Sequence, residues 1–249
     1  MNPIIETILN HRSIRKFEDQ PLTKEQIHTI VACASSASTS SNIQAYSIIG
    51  VTDNEKKRQL AELAGNQSYV EDNGHFLVFC ADLHRHEISL EMESAEGVES
   101  LESTEKFMVA LIDAALASQN AAIAAESMGL GICYIGGIRN HLDKVSEILK
   151  VPKRVIPLFG MAIGYPSSNS YKKPRLPLAH IYHEEEYEQD VEKFKSELQA
   201  YNKELSQYYL ERTNGKRQDT WTDQMARMLE SPKRMYMKEF IQKKGYDIR

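Results

Sequence analysis

Residues 11–17, His-Arg-Ser-Ile-Arg-Lys-Phe, gather three cations, a histidine and a serine in a chain whose net charge is −5. Arg12 and Arg15 offer forked donors, Ser13 a hydroxyl and His11 a ring nitrogen. That mixture suits the several acceptor oxygens of a phosphate. The same residue types also make an ordinary solvated basic loop beside a helix end. Two further basic clusters stand near the C-terminus. In "KKPRLP" (172–177) two prolines fix the approach of Lys173 and Arg175. In "RTNGKR" (212–217) an Asn214-Gly215 turn separates Arg212 from Arg217. An exposed arm and a helix-ending loop are the plainer readings of these two.

Two uncharged segments could meet a polar ligand. "SSASTSSN" (35–42) carries hydroxyls and backbone N–H groups between a helix and a strand, so it reads either as a functional loop or as a flexible linker. "GLGICYIGG" (129–137) invites a dinucleotide reading, but its third position is Tyr134 and it precedes its strand. The Rossmann glycines follow theirs, so that fingerprint is rejected. Gly136 and Gly137 at the strand's end leave bare backbone that could approach a flat ligand, or simply turn the chain. His84 and His86, and His180 and His183, lack the cysteine or carboxylate context of a zinc site and read as solvated. Tyr208 and Tyr209, at helical spacing with Leu205, read as packing. No G-x-S-x-G, Walker A or H-E-x-x-H motif occurs.

These residues need elements to position them. Asn2-Pro3 starts a short helix with Ile4, Ile5, Ile8 and Leu9 on one face, stopping near Asn10. Thr23 and Gln26 form a capping box, Leu22 can staple against Ile27, and the helix runs over 24–36. Strands are predicted at 45–51, at 76–81, in the middle of 129–137 and within "VIPLFGMAIGYP". Helices are predicted at 54–64, 105–128 and "NHLDKVSEILK", with a solvated excursion of helix and loop over 84–105. From residue 166 the texture changes to a Pro- and Ser-rich arm, then a long charged helix over 184–211, a turn, and a last helical stretch to the end. Strands separated by helices predict a mixed α/β or α+β domain. The division is a core over 1–165, then an arm and helices over 166–249 that pack on the core or on a second subunit, all within one domain.

Bulk composition narrows the classes. A hydrophobic content of 41% with 26% charge is that of an ordinary globular chain. Net acidity argues against DNA or an anionic membrane as main partner. Three cysteines, Cys33, Cys80 and Cys133, with no C-x-x-C, suggest reduced thiols and a cytoplasmic location. No signal peptide is expected from the N-terminal residues. The most apolar stretch, 107–126, is interrupted by Asp113, Ser118, Gln119, Asn120 and Glu126, as in a buried helix rather than a membrane span.

Taken together, "HRSIRKF", "SSASTSSN", "GNQSYV", "ESMGLGICYIGGIRN", "LFGMAIGYP", "KKPRLP" and "RTNGKRQDTW" resemble the nitroreductase family. The branch is that of the oxygen-insensitive NADPH nitroreductases and NADPH–flavin reductases, especially those of Bacillus and Staphylococcus. The resemblance runs from about residue 4 to the C-terminus and is weakest over 84–105. It implies an α+β FMN-binding fold, a central mixed sheet flanked by helices, and an intertwined homodimer with two interfacial sites. The anion would be the phosphate of non-covalent FMN. His11, Arg12, Ser13 and Arg15 would hold the cofactor, with Lys173 and Arg175 completing the phosphate cage. Thr39, Ser40, Ser41 and Gln67 would meet the flavin's polar edges, and Tyr134, Ile135, Gly136 and Gly137 would pass along its ring. Arg212 and Arg217, in a mobile loop, match the arginines that clamp the 2′-phosphate of NADPH.

The implied reaction is ping-pong, two-electron hydride transfer from NADPH through FMN to nitroaromatics, free flavins or quinones, with no protein acid or base at its centre. NADH is a possible second donor. Asn42 stands where enzymes of this branch carry an aromatic residue, which implies a more polar acceptor pocket. A hydrogen-peroxide-forming NAD(P)H oxidase, or a disulfide-directed reductase on the same flavin, is the alternative within the enzyme class. Outside it stands a non-enzymatic module that binds nucleotides through the basic clusters.

Overall fold

The computed structural model describes residues 2–168 and 170–247. The chain divides into two compact units, one made of residues up to Ser170 together with those from Arg234 onward, the other of Tyr171–Lys233. In the first unit the order is α1 (Pro3–Leu9), α2 (Lys24–Ser35), β1 (Tyr46–Val51), α3 (Asn54–Leu63), β2 (His75–Asp82), α4 (His84–Met92), α5 (Val98–Glu102), α6 (Thr104–Ser127), β3 (Gly131–Ile135), α7 (Leu142–Ile148) and β4 (Val155–Gly164). Helices α8 (Val191–Arg212) and α9 (Trp221–Leu229) form the second unit, and α10 (Met237–Lys243) returns to the first.

The named strands form one four-stranded sheet in the order β1-β2-β4-β3, every pair antiparallel. The central mixed sheet that the resemblance implies is therefore not found among the named strands, and at the β3 edge parallel pairing is confined to the isolated bridge of Ser13 with Ile132. All eight residues of β2 are buried. Period-two alternation sends Leu77, Phe79 and Ala81 into one core with α2 and α6, and Phe76, Val78 and Cys80 into another with α3 and α7. The sheet is thus covered on both faces. Each fully buried Leu, Val or Phe contributes roughly 1.5–3 kcal/mol relative to exposure.

Local signals act as expected at the helix starts. Asn2 accepts the Ile4 N–H at 2.9 Å. Thr23 and Gln26 form the reciprocal capping box, with 3.0 and 3.2 Å bonds. Helix α6 is long and apolar enough to cross a membrane by length and composition, but its buried alanines and Asp113 pack into the core beside the sheet. Gly129, at φ +76°, turns the chain out of α6, and Gly131 accepts close contact from Ile14. Those two roles account for the G-x-G without a nucleotide.

Several elements differ from the sequence reading. The acidic excursion is helical, yet it is not simply solvated, since Leu101 is buried and the buried Arg154 guanidinium binds both Glu87 (2.6 Å) and Glu102 (3.2 Å). Helix α8 begins at 191 because Asp190 caps the N–H groups of Glu192 and Lys193, both at 3.0 Å. The last helical stretch is two helices with Pro232 between them, and residues 248–249 lie outside the described ones. His86 is not solvated either, because its Nε2 lies 2.7 Å from the Ile43 carbonyl. Nor is His180, which is stacked on Phe194 at 5.2 Å and sits 3.1 Å from Glu197.

Candidate functional site

The segment 11–15 runs along the edge of β3. The Ile14 N–H donates to the Ile132 carbonyl at 2.9 Å. Gly131 permits this approach, since a Cβ there would stand 2.6 Å from Ile14 Cγ1. Ser13 bridges to Ile132, next to Cys133, whose thiol pKa burial pushes up while Arg15 and Ser13 pull it down less strongly. Arg15 lies 6.0 Å from the centroid of the Tyr69 ring. Burial is also the main cause of the raised Tyr69 pKa, with Cys133 adding to it and Arg15 opposing.

From Tyr69 the contacts continue inward. Its hydroxyl donates to Gln67 Oε1, and Gln67 Nε2 donates to the Ala64 carbonyl at 2.6 Å. Gly137 is packed on that same carbonyl and on Gln67. The structure therefore brings Ser13, Arg15, Gln67 and Gly137 into one group at the β3 end, together with Tyr69 and Cys133. His11 Nδ1 pairs with Glu126 Oε1 at 2.7 Å. Arg12 lines a cleft of about 440 Å³ with Ile14, Glu126 and Gly131, and its Nε is buried without a hydrogen-bond partner among the described residues.

The strand itself supplies two kinds of surface. Tyr134 is half-buried, its hydroxyl 3.3 Å from Ser118 Oγ and its ring edge-on to Phe159 at 5.6 Å. Burial raises its pKa, with the Ser118 bond opposing. Ile135 and Gly137 are buried, whereas Gly136 is partly open beside the Arg139 guanidinium.

The serine-rich loop is attached elsewhere. Thr39 is half-buried, and Ser40–Asn42 make one 3-10 turn with Ser40 and Ser41 exposed. The Ser40 and Ala45 N–H groups donate to the two carboxylate oxygens of Asp113 on α6, at 3.2 and 3.0 Å. Among the described residues no hydrogen bond joins Thr39, Ser40 or Ser41 to His11, Arg12, Ser13, Arg15 or Gln67.

Lys173, Arg175, Arg212 and Arg217 all belong to the second unit. Tyr209 joins two of them. Its ring has Arg217 at 4.0 Å and Lys173 at 5.6 Å, and its hydroxyl reaches Gln224 Oε1 at 3.3 Å. Arg212 lies 5.9 Å from the Tyr208 ring and donates to its hydroxyl at 3.2 Å. The Arg217 Nε donates to Asp219, which Arg227 also binds at 3.0 Å. Asn214 and Gly215, at φ +51° and +79°, make the turn expected between the two arginines. Arg175 is exposed, close enough to Tyr201 to pull that hydroxyl's pKa down against the larger effect of burial.

The chain matches the nitroreductase family over residues 8–165 and the family's C-terminal domain over 173–249. It is 59% identical over 247 residues to an FMN reductase (NADPH) of Bacillus subtilis, covering 99% of each chain. The chain belongs to the nitroreductase family. Among solved structures it is similar to NfrA1 of B. megaterium, with TM-score 0.98 and 67% identity over 99% of this chain and 100% of the other. The NADPH:FMN oxidoreductase of Vibrio harveyi, complexed with NAD+, superposes with TM-score 0.89 at 39% identity, each chain fully covered. As a member of this family the chain is an oxidoreductase with the nitroreductase α+β fold.

Three residues that contact these groups carry no role in the sequence reading. Tyr69 stands inside the quoted "GNQSYV" but gains its part only through Arg15, far away in the chain. In the sequence, Glu126 and Asp113 are only polar interruptions of an apolar helix. An aspartate at the centre of such a helix is itself a signal, because a buried carboxylate needs donors and the nearest are backbone N–H groups.

Proposed function

We propose that this protein is an FMN-dependent NADPH oxidoreductase that carries two electrons from NADPH to nitroaromatics, free flavins or quinones. The observation that carries this reading is the gathering of Ser13, Arg15, Gln67 and Tyr69 along the end of β3, with an Arg12 Nε on the same segment that is buried without a hydrogen-bond partner among the described residues. The donor set fits the cofactor, because His11, Arg12, Ser13 and Arg15 offer cations and hydroxyls to a phosphate and polar ring edges. Glu126, a carboxylate of the same cleft, is already paired with His11.

Bound FMN supplies the hydride chemistry, accepting from NADPH and passing two electrons onward. The chain's own residues bind and orient. His11, Arg12, Ser13 and Arg15 hold the cofactor, with Lys173 and Arg175 as further phosphate donors. Thr39, Ser40, Ser41 and Gln67 meet polar edges, while Tyr134, Ile135, Gly136 and Gly137 present the strand end to the ring. Arg212 and Arg217 hold the 2′-phosphate of NADPH, each already laid on a tyrosine that limits its freedom. The half-reactions alternate, so the nucleotide leaves before the acceptor enters.

The working form in this reading is a homodimer in the cytoplasm, with sites at the subunit interface. Support comes from the separate anchoring of the serine-rich loop and from exposed apolar side chains on α1 and α6. Two of the three cysteines are buried and all are free, as in a reducing compartment.

An anaerobic visible spectrum of the purified protein, before and after NADPH or NADH, tests the reading. A flavin spectrum that bleaches far faster with NADPH is the expected result. Equal bleaching by both nucleotides would remove Arg212 and Arg217 as selectivity determinants. A protein that stays colourless after incubation with FMN would overturn the proposal.

A further inference from the structure

The loop between α2 and β1 holds three non-glycine residues in the left-handed region, Ser41 at φ +48°, Asn42 at +58° and Gln44 at +52°. Such angles are uncommon for residues with a Cβ, and they persist only where surrounding contacts impose them. The contacts here come from two directions. From α6, the wholly buried Asp113 accepts the Ser40 N–H at 3.2 Å and the Ala45 N–H at 3.0 Å, bracketing the whole irregular stretch with one carboxylate. From α4, Arg85 donates to the carbonyls of Gln44 (3.0 Å) and Tyr46, and His86 Nε2 meets the Ile43 carbonyl at 2.7 Å. Donors on one side and acceptors on the other leave the backbone of 40–46 little room to move.

Asp113 sits in the alanine-rich buried stripe of α6, where a hydrophobic residue would be the ordinary choice. A buried carboxylate survives there because two N–H groups satisfy it. We propose that Asp113 is the positioning residue of the serine-rich loop, holding Thr39, Ser40 and Ser41 in the one conformation that can meet the cofactor. Arg85 and His86 complete the hold, which gives the acidic segment after β2 a function at the site. This inference rests on the FMN reading for the ligand but not for the loop's geometry.

Asp113→Asn is the informative variant. Its amide keeps the shape and offers one acceptor oxygen, but its NH2 faces a backbone N–H, so one of the two bonds is lost. Ala121→Gly, buried in the same helix, weakens α6 without touching the loop and serves as the control. We expect D113N apoprotein to bind FMN roughly tenfold more weakly by fluorescence quenching, as one lost charge-assisted bond allows. A121G should match wild type. Adding Asn42→Gly to D113N should recover part of the affinity, because glycine reaches φ +58° freely. Hydrogen exchange of a peptide covering 39–46 should quicken in D113N alone. Unchanged FMN affinity and exchange in D113N, or equal losses in D113N and A121G, would overturn the proposal. If wild type itself binds no FMN, the cofactor reading falls, and the exchange of 39–46 decides the hold of Asp113 by itself.

Discussion

Gly137 and Gly136 are neighbours with opposite tolerance. A Cβ on Gly137 would stand 2.3 Å from the Ala64 carbonyl oxygen and 2.8 Å from Gln67 Nε2, and the first of these is backbone that cannot swing aside. One on Gly136 would stand 3.3 Å from Arg139 Nη2, the far end of a flexible side chain. Gly137→Ala should therefore cost about 1–3 kcal/mol of stability by overpacking and push Gln67 out of line. Thermal unfolding and flavin retention measured for both variants check this, with Gly136→Ala near wild type in each. From sequence, the glycine pair signalled a bare strand end that a flat ligand could approach. The structure also gives Gly137 a partner inside the chain, and nothing local announces it, because Ala64 lies more than seventy positions away. The residue types of the 11–15 segment were legible, whereas their partners Tyr69, Cys133 and Glu126 were not, for the same reason.

Elements with local causes were legible, and elements tied by distant groups were not. The caps at Asn2 and Thr23 act within four residues and are plain in the sequence. Helices α4 and α5 read as solvated because their anchor, Arg154, lies 67 residues beyond Glu87 and 52 beyond Glu102. The Arg154 bond, ahead of charge attraction from Arg154 and Lys153 and against a smaller opposing effect of burial, holds the Glu87 carboxyl below its ordinary value of 4.5. A carboxyl whose folded pKa is depressed contributes stability present above the ordinary value and lost as pH falls through the folded one. Wild type should thus lose unfolding free energy as the medium is taken from neutral into acid below about 4.5. Glu87→Gln should start less stable and fall less steeply. Denaturant titrations across that range separate the two, and parallel curves would mean that the Glu87–Arg154 pair does not set the acid limit of this segment.

At the scale of the whole molecule, the unsatisfied feature is apolar surface. Helix α1 packs on α6, yet Ile4, Ile5, Ile8 and Leu9 are 46–60% exposed. On α6, Met108, Ile112 and Leu116 recur every four residues at 51%, 53% and 44% exposure, a stripe on the side of the helix away from its buried alanines. The sequence reads 107–126 as a buried helix, because an apolar helix does not reveal which of its faces its own chain covers. Stable protein interfaces bury about 800 Å² per partner, and contiguous apolar patches of a few hundred Å² on a lone chain mark such contacts. A second copy is the occupant that the nitroreductase reading requires. Ile112→Arg places a charge in the middle of the α6 stripe, where pairing would have to bury it without a partner. Light scattering should then give wild type a mass of twice 28.4 kDa and the variant a mass near 28.4 kDa, with the helical circular-dichroism signal retained. The monomer should also lose FMN, since the serine-rich loop and the 11–15 segment would belong to different halves of a site that no longer assembles. A monomeric variant that still holds FMN with wild-type affinity would place the entire site in one chain, and the exposed stripe would then need a different partner.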